Sequence, residues 1–86
     1  MTAYSALRID RALEAVRLEL ARATAAYPLP FHSGHEGYAV IREEVDELWD
    51  DVKASKGLRQ SPQARLEAVQ VAAMAVRFML DLTDDQ

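Results

Sequence analysis

The stretch Ser33-Gly34-His35-Glu36-Gly37-Tyr38-Ala39-Val40-Ile41-Arg42-Glu43-Glu44-Val45-Asp46-Glu47-Leu48-Trp49-Asp50-Asp51-Val52-Lys53-Ala54-Ser55 decides the fold class. It opens on S-x-x-E, the spacing at which a serine oxygen and a glutamate carboxylate satisfy the free amides of a helix's first turn reciprocally. Ile41, Val45, Leu48 and Val52 then recur every three or four residues, and nothing alternates with the period of a strand. The spacing predicts a helix to about Ser55, closed by Gly57 as a left-handed cap. At ~100° per residue, Tyr38 and Trp49 flank the apolar face on one side and Glu44, Glu47 and Asp51 flank it on the other. Glu43, Asp46 and Asp50 point away. Like charges stacked at these spacings repel, so the acidic stripe costs stability unless a cation or a positive partner sits there.

Two further helical segments lie on either side. About Ser5 to Ala26, Ile9, Leu13, Val16, Leu20 and Ala23 form one apolar stripe. Tyr27-Pro28-Leu29-Pro30-Phe31-His32 then imposes an extended connection, because proline disfavours helical geometry in the residue before it. The third helix starts at Ser61-Pro62, an N-cap serine with proline in the first helical position, and runs to about Leu82. A short acidic tail, Asp84-Asp85-Gln86, is expected to fray. In the third helix Leu66, Val69, Ala73, Val76 and Leu80 form one apolar face, and Val71, Ala72, Ala75, Phe78, Met79 and Leu82 a second. Between them runs a narrow polar stripe of Glu67, Gln70, Arg77 and Asp81, with Met74 among them. The expectation is one all-α domain over 1–86, a short bundle of three main helices completed by oligomerisation as a dimer or a dimer of dimers.

Length and composition narrow the function classes. At 86 residues there is room for one domain. The absence of cysteine removes disulfides, thiolate metal sites and thiol nucleophiles, and points to a reducing, cytoplasmic setting. A net charge of −4 with scattered Lys and Arg argues against a grip on long nucleic acid. The apolar run from Val71 to Val76 is far below the ~20 residues of a membrane span. No GxxxxGK[ST] or GxGxxG string occurs, so phosphate-cradling loops are absent and phosphate handling would go through bound cations.

Carboxylates from two helices facing one interface are how helical bundles build sites for hard cations such as Mg²⁺ and Mn²⁺. Glu44, Glu47 and Glu67 are the candidate ligands, with Gln70 one turn beyond Glu67. The alternatives are a solvated acidic face on the second helix, and for Glu67 an ion pair with Arg77 or Arg65. His35 either caps the second helix or meets a substrate phosphate, and Trp49 either packs or stacks on a base. Arg77 either meets a phosphate or pairs with Asp81 at i, i+4.

From His35-Glu36-Gly37-Tyr38 through Glu43-Glu44-Val45-Asp46-Glu47-Leu48, the sequence resembles the MazG-like, all-α nucleoside triphosphate pyrophosphohydrolases. That family carries EExxE on one helix and ExxD on the next. In this chain these correspond to Glu43, Glu44 and Glu47, and to Glu67-Ala68-Val69-Gln70. The resemblance spans about Ser33 to Leu82 and implies Mg²⁺-dependent hydrolysis between the α and β phosphates, giving the nucleoside monophosphate and pyrophosphate. In that chemistry the carboxylates hold the metal, and Glu44 or Glu47 orients or deprotonates the attacking water. Gln70 departs from the family pattern, replacing a charged ligand with a neutral amide; Asp51 and Asp81 are the candidates to compensate.

Overall fold

The computed structural model describes residues 3–84. Three helices of 21 residues each follow one another: α1 (Ala6–Ala26), α2 (Gly34–Ala54) and α3 (Pro62–Leu82). No strand occurs among the described residues, and none of the helices there is long and apolar enough to cross a membrane. Asp85 and Gln86 of the acidic tail lie outside the described residues.

Each helix begins in the same way. Ser5, Ser33 and Ser61 sit in extended backbone, and their hydroxyl oxygens accept from the amides of Arg8, Glu36 and Ala64 at 3.3, 3.2 and 3.0 Å. Each such cap is worth ~1 kcal/mol. The reciprocal half of the box on α2 departs from expectation, because Glu36 Oε1 accepts from the amide of His32 at 2.8 Å and so ties down the preceding linker. The left-handed cap at Gly57 does not form. Ser55 leaves α2 in extended backbone, and no described residue has a positive φ. An extended exit needs no left-handed turn; the Ser55 amide donates back to the Val52 carbonyl at 3.1 Å instead.

α3 is the centre of the molecule. Both α1 and α2 pack against it and they do not pack against each other, so a cleft opens between them with α3 as its floor. α2 comes close to α3 at Gly37, where a methyl group would stand 2.7 Å from Phe78 Cδ2. The core is thin: Ala23, Ala73 and Met74, with Val16, Leu20, Phe31, Val40 and Ile41 against them, and no large side chain is fully enclosed.

The orientation of α3 inverts the usual rule for an amphipathic helix. Its polar stripe faces inward: Glu67, Met74 and Arg77 are buried while Leu66, Met79 and Leu80 stay 45%, 60% and 56% exposed. The flanking helices cover the stripe together with Ala73 and part of each apolar face, and leave Leu66, Met79 and Leu80 to solvent. On α1 only the C-terminal half of the predicted stripe, Val16, Leu20 and Ala23, reaches the core, and Ile9 and Leu13 are exposed.

Candidate metal centre and cleft

Packing of α2 on α3 brings together two pairs of residues, each pair one helical turn apart. Glu44 and Glu47 come from α2, Glu67 and Gln70 from α3. Glu44, Glu47 and Glu67 each offer a carboxylate oxygen within 4.8 Å of the others. They span a gradient of burial, from exposed Glu47 through half-buried Glu44 to Glu67, which is only 9% exposed.

Glu67 is held without a cation. Gln63 Nε2 donates to its Oε1 at 2.7 Å. The Gln70 amide, assigned with its nitrogen toward the acceptors that surround it, donates to Glu67 Oε2 at 2.7 Å and to Glu44 Oε2 at 3.2 Å. Neither Arg77 nor Arg65 pairs with Glu67, so the ion-pair alternatives for it do not arise among the described residues. A buried carboxylate supported only by neutral amides, with two further carboxylates beside it, carries uncompensated negative charge.

Glu44 registers that charge. Its carboxyl is pushed up to about 7, first by burial, then by the charge of Glu47, a hydrogen bond shared with Glu47, and the charges of Glu67 and Glu43. A cation among the three carboxylates would reverse the electrostatic part of this shift. The donors suit a hard ion, being all oxygen. Glu44, Glu47 and Glu67, with carboxylate oxygens within 4.8 Å of one another, are the residues that would hold such an ion.

Glu44 and Gln70 also line the cleft between α1 and α2, a space of about 450 Å³. Its floor is Met74, its sides include Val40 and Ala23, and its far end is formed by Tyr27, Leu29, Phe31 and Arg77. The i, i+4 pair with Asp81 is the reading of Arg77 that the geometry realises, with Nε 3.3 Å from Asp81 Oδ2. The same guanidinium donates to the carbonyls of Tyr27 and Leu29 and lies 5.2 Å from the centre of the Phe31 ring.

His35 and Trp49 are both exposed and lie outside the cleft lining, so this chain brings neither to the carboxylates. Trp49 is 57% exposed. Asp51 does not join the carboxylate cluster, and Asp81 accepts from Phe31 N and Arg77 at the opposite end, so neither replaces the charge missing at Gln70. Glu43, expected to point away, stands on the cleft wall.

Sequence reasoning missed three contributors. Gln63 precedes Glu67 by four residues, a helical spacing at which an amide and a carboxylate meet, and that signal was readable. Glu19 and Arg22 line the opposite wall from α1, joined by an Arg22 Nε to Glu19 Oε1 bond of 2.9 Å. Their i, i+3 spacing is too common to single out; only the packing of α1 on α3 puts them at the cleft. No protein-family model, no curated protein and no solved structure matches the chain.

Proposed function

We propose that this protein is a Mg²⁺-dependent nucleoside triphosphate pyrophosphohydrolase, converting a (d)NTP and water into the (d)NMP and pyrophosphate. The observation that carries the reading is Glu67: a buried carboxylate with no cationic partner, facing Glu44 and Glu47 across the α2–α3 contact, at the edge of a nucleotide-sized cleft. Glu44, Glu47 and Glu67 hold the ion, with Gln70 beside them. Mg²⁺ or Mn²⁺ bound there supplies charge neutralisation to the polyphosphate and its leaving group.

The chain's own residues do the remainder. Glu44 belongs to both the cluster and the cleft wall. Whichever of Glu44 and Glu47 keeps a carboxylate oxygen free of the ion accepts a proton from water as the water oxygen bonds to the α-phosphorus and the bond to the bridging oxygen breaks. Arg22, on the opposite wall and paired with Glu19, can meet the phosphates by exchanging that partner for them. The exposed Leu13, Trp49, Met79 and Leu80 support a homo-oligomer, dimer or dimer of dimers, and the lack of cysteine supports a cytoplasmic location.

The test is pyrophosphate release across a panel of NTPs and dNTPs with Mg²⁺ or Mn²⁺, using Glu44→Gln as the inactive control. Release by Glu44→Gln equal to the parent removes Glu44 from the chemistry. Gln70 favours a second reading, a protein that binds nucleotide without turning it over, because a neutral amide donates where a fourth carboxylate would strengthen the ion site. Calorimetry with a non-hydrolysable triphosphate that binds while no pyrophosphate appears selects that reading.

A further inference from the structure

Among the described residues Arg77 is the charged residue most withdrawn from water, 6% exposed, and its hydrogen bonds join the α1–α2 linker to α3. Its guanidinium holds the carbonyls of Tyr27 and Leu29, while Asp81, paired with it, accepts from Phe31 N at 2.9 Å. Pro28 and Pro30 restrict the backbone between these anchors. The segment is therefore pinned, yet Tyr27 and Leu29 remain 74% and 83% exposed while lining the cleft. Large apolar side chains displayed on an immobilised backbone lose little freedom when a ligand covers them.

The two ends of the cleft differ in chemistry. One holds Glu44 and the Gln70 amide; the other holds Tyr27, Leu29, Phe31 and the Arg77 guanidinium, with the Glu36 carboxylate taken up by the His32 amide, and apolar Met74 lies between. From Gln70 to Arg77 is seven residues of helix, roughly 10 Å, the order of the span from a nucleobase to its β-phosphate. We propose that the Tyr27–Phe31 strap receives the planar base of the nucleotide, and that Arg77, with Asp81, is the residue positioning it. The inference rests on the cation reading only for the direction in which the nucleotide lies.

The test uses uncharged nucleosides (adenosine, guanosine, cytidine, uridine and thymidine) added to the protein in EDTA, with the Met74 methyl resonance as readout, beside a Mn²⁺ titration with inorganic triphosphate. At least one nucleoside shifts Met74 in the parent. Tyr27→Ala weakens that nucleoside about tenfold, the loss of one stacked aromatic, and leaves Mn²⁺ and triphosphate binding unchanged. Arg77→Met weakens it comparably, and Arg77→Lys, which keeps the charge opposite Asp81 and a donor for the strap, recovers part of the loss. Should Arg77→Met fail to fold, Tyr27→Ala and Leu29→Ala decide the matter, since both side chains are exposed. The proposal is overturned if no nucleoside shifts Met74, if Tyr27→Ala binds like the parent, or if folded Arg77→Met does. Nucleoside binding without Mn²⁺ binding refutes the cation reading and leaves the strap standing; Mn²⁺ binding without nucleoside binding does the converse.

Discussion

Glu67 and Arg77 lie ten residues apart on one helix, are about equally withdrawn from water, and are satisfied in opposite ways. Arg77 has a counter-charge in Asp81, two carbonyls and an aromatic face. Glu67 has two neutral amides and, instead of a counter-charge, two more carboxylates. Removing one partner of a paired buried charge strands the other and costs stability, whereas a buried charge left in excess raises the energy of the ligand-free protein and is relieved by a ligand of opposite sign. The difference sets a charge-paired end of the cleft against an end that carries carboxylates in excess.

The strongest way to break this contrast is to remove each charge in turn. Arg77→Met strands Asp81 and releases the strap, and should lower unfolding free energy by about 3 kcal/mol or more. Glu67→Gln removes a repelled carboxylate and should leave the metal-free protein as stable as the parent or more so. Urea unfolding of both in EDTA checks this, and equal losses would show that the two ends are not different in kind.

Cation binding sharpens it next. Glu44→Ala and Glu47→Ala should each abolish detectable Mn²⁺ binding in calorimetry while the metal-free melting temperature holds or rises. A variant that binds Mn²⁺ like the parent, or melts several degrees lower in EDTA, removes that residue from the site. Gln70→Asp should raise Mn²⁺ affinity about tenfold, since a charged ligand on a half-buried cation contributes at least ~1.4 kcal/mol. Unchanged affinity in both Gln70→Asp and Gln70→Ala places Gln70 outside the site.

A smaller effect is expected from pH. Because the Glu44 carboxyl is raised to about 7, the folded protein binds more protons than the unfolded chain between the ordinary carboxylate range and neutrality. Glu44's contribution to the stability of the metal-free protein is therefore fully present at and below the ordinary carboxylate range and is lost as pH rises through about 7. Mn²⁺ affinity should run the other way, rising over the same interval as the proton leaves. Thermal melts in EDTA and Mn²⁺ titrations at several pH values test the two slopes together. A melting temperature that climbs toward neutrality in EDTA contradicts burial and carboxylate repulsion as the origin of the Glu44 shift.

The features legible in the sequence were the local ones. Serine caps, proline punctuation and 3.6-residue periodicity depend on residues within one or two turns of each other, so three helices with their boundaries followed from the chain alone, as did the Glu44 and Glu47 pair. The Gln63 and Glu67 contact, one turn apart on α3, belongs to the same class. The rest depended on which face met which. Periodicity says that α3 has one polar stripe and two apolar faces but not which of them the neighbouring helices cover, and the inward turn of Glu67 and Arg77 came from packing against two helices that leave a gap between them. The strap, with Arg77 reaching across about fifty residues of sequence to the Tyr27 and Leu29 carbonyls, has no local signature at all. Local chemistry determined the elements, their charges and the Arg77–Asp81 pair; only long-range packing decided that both charges would be buried and that Glu67 would face two more carboxylates.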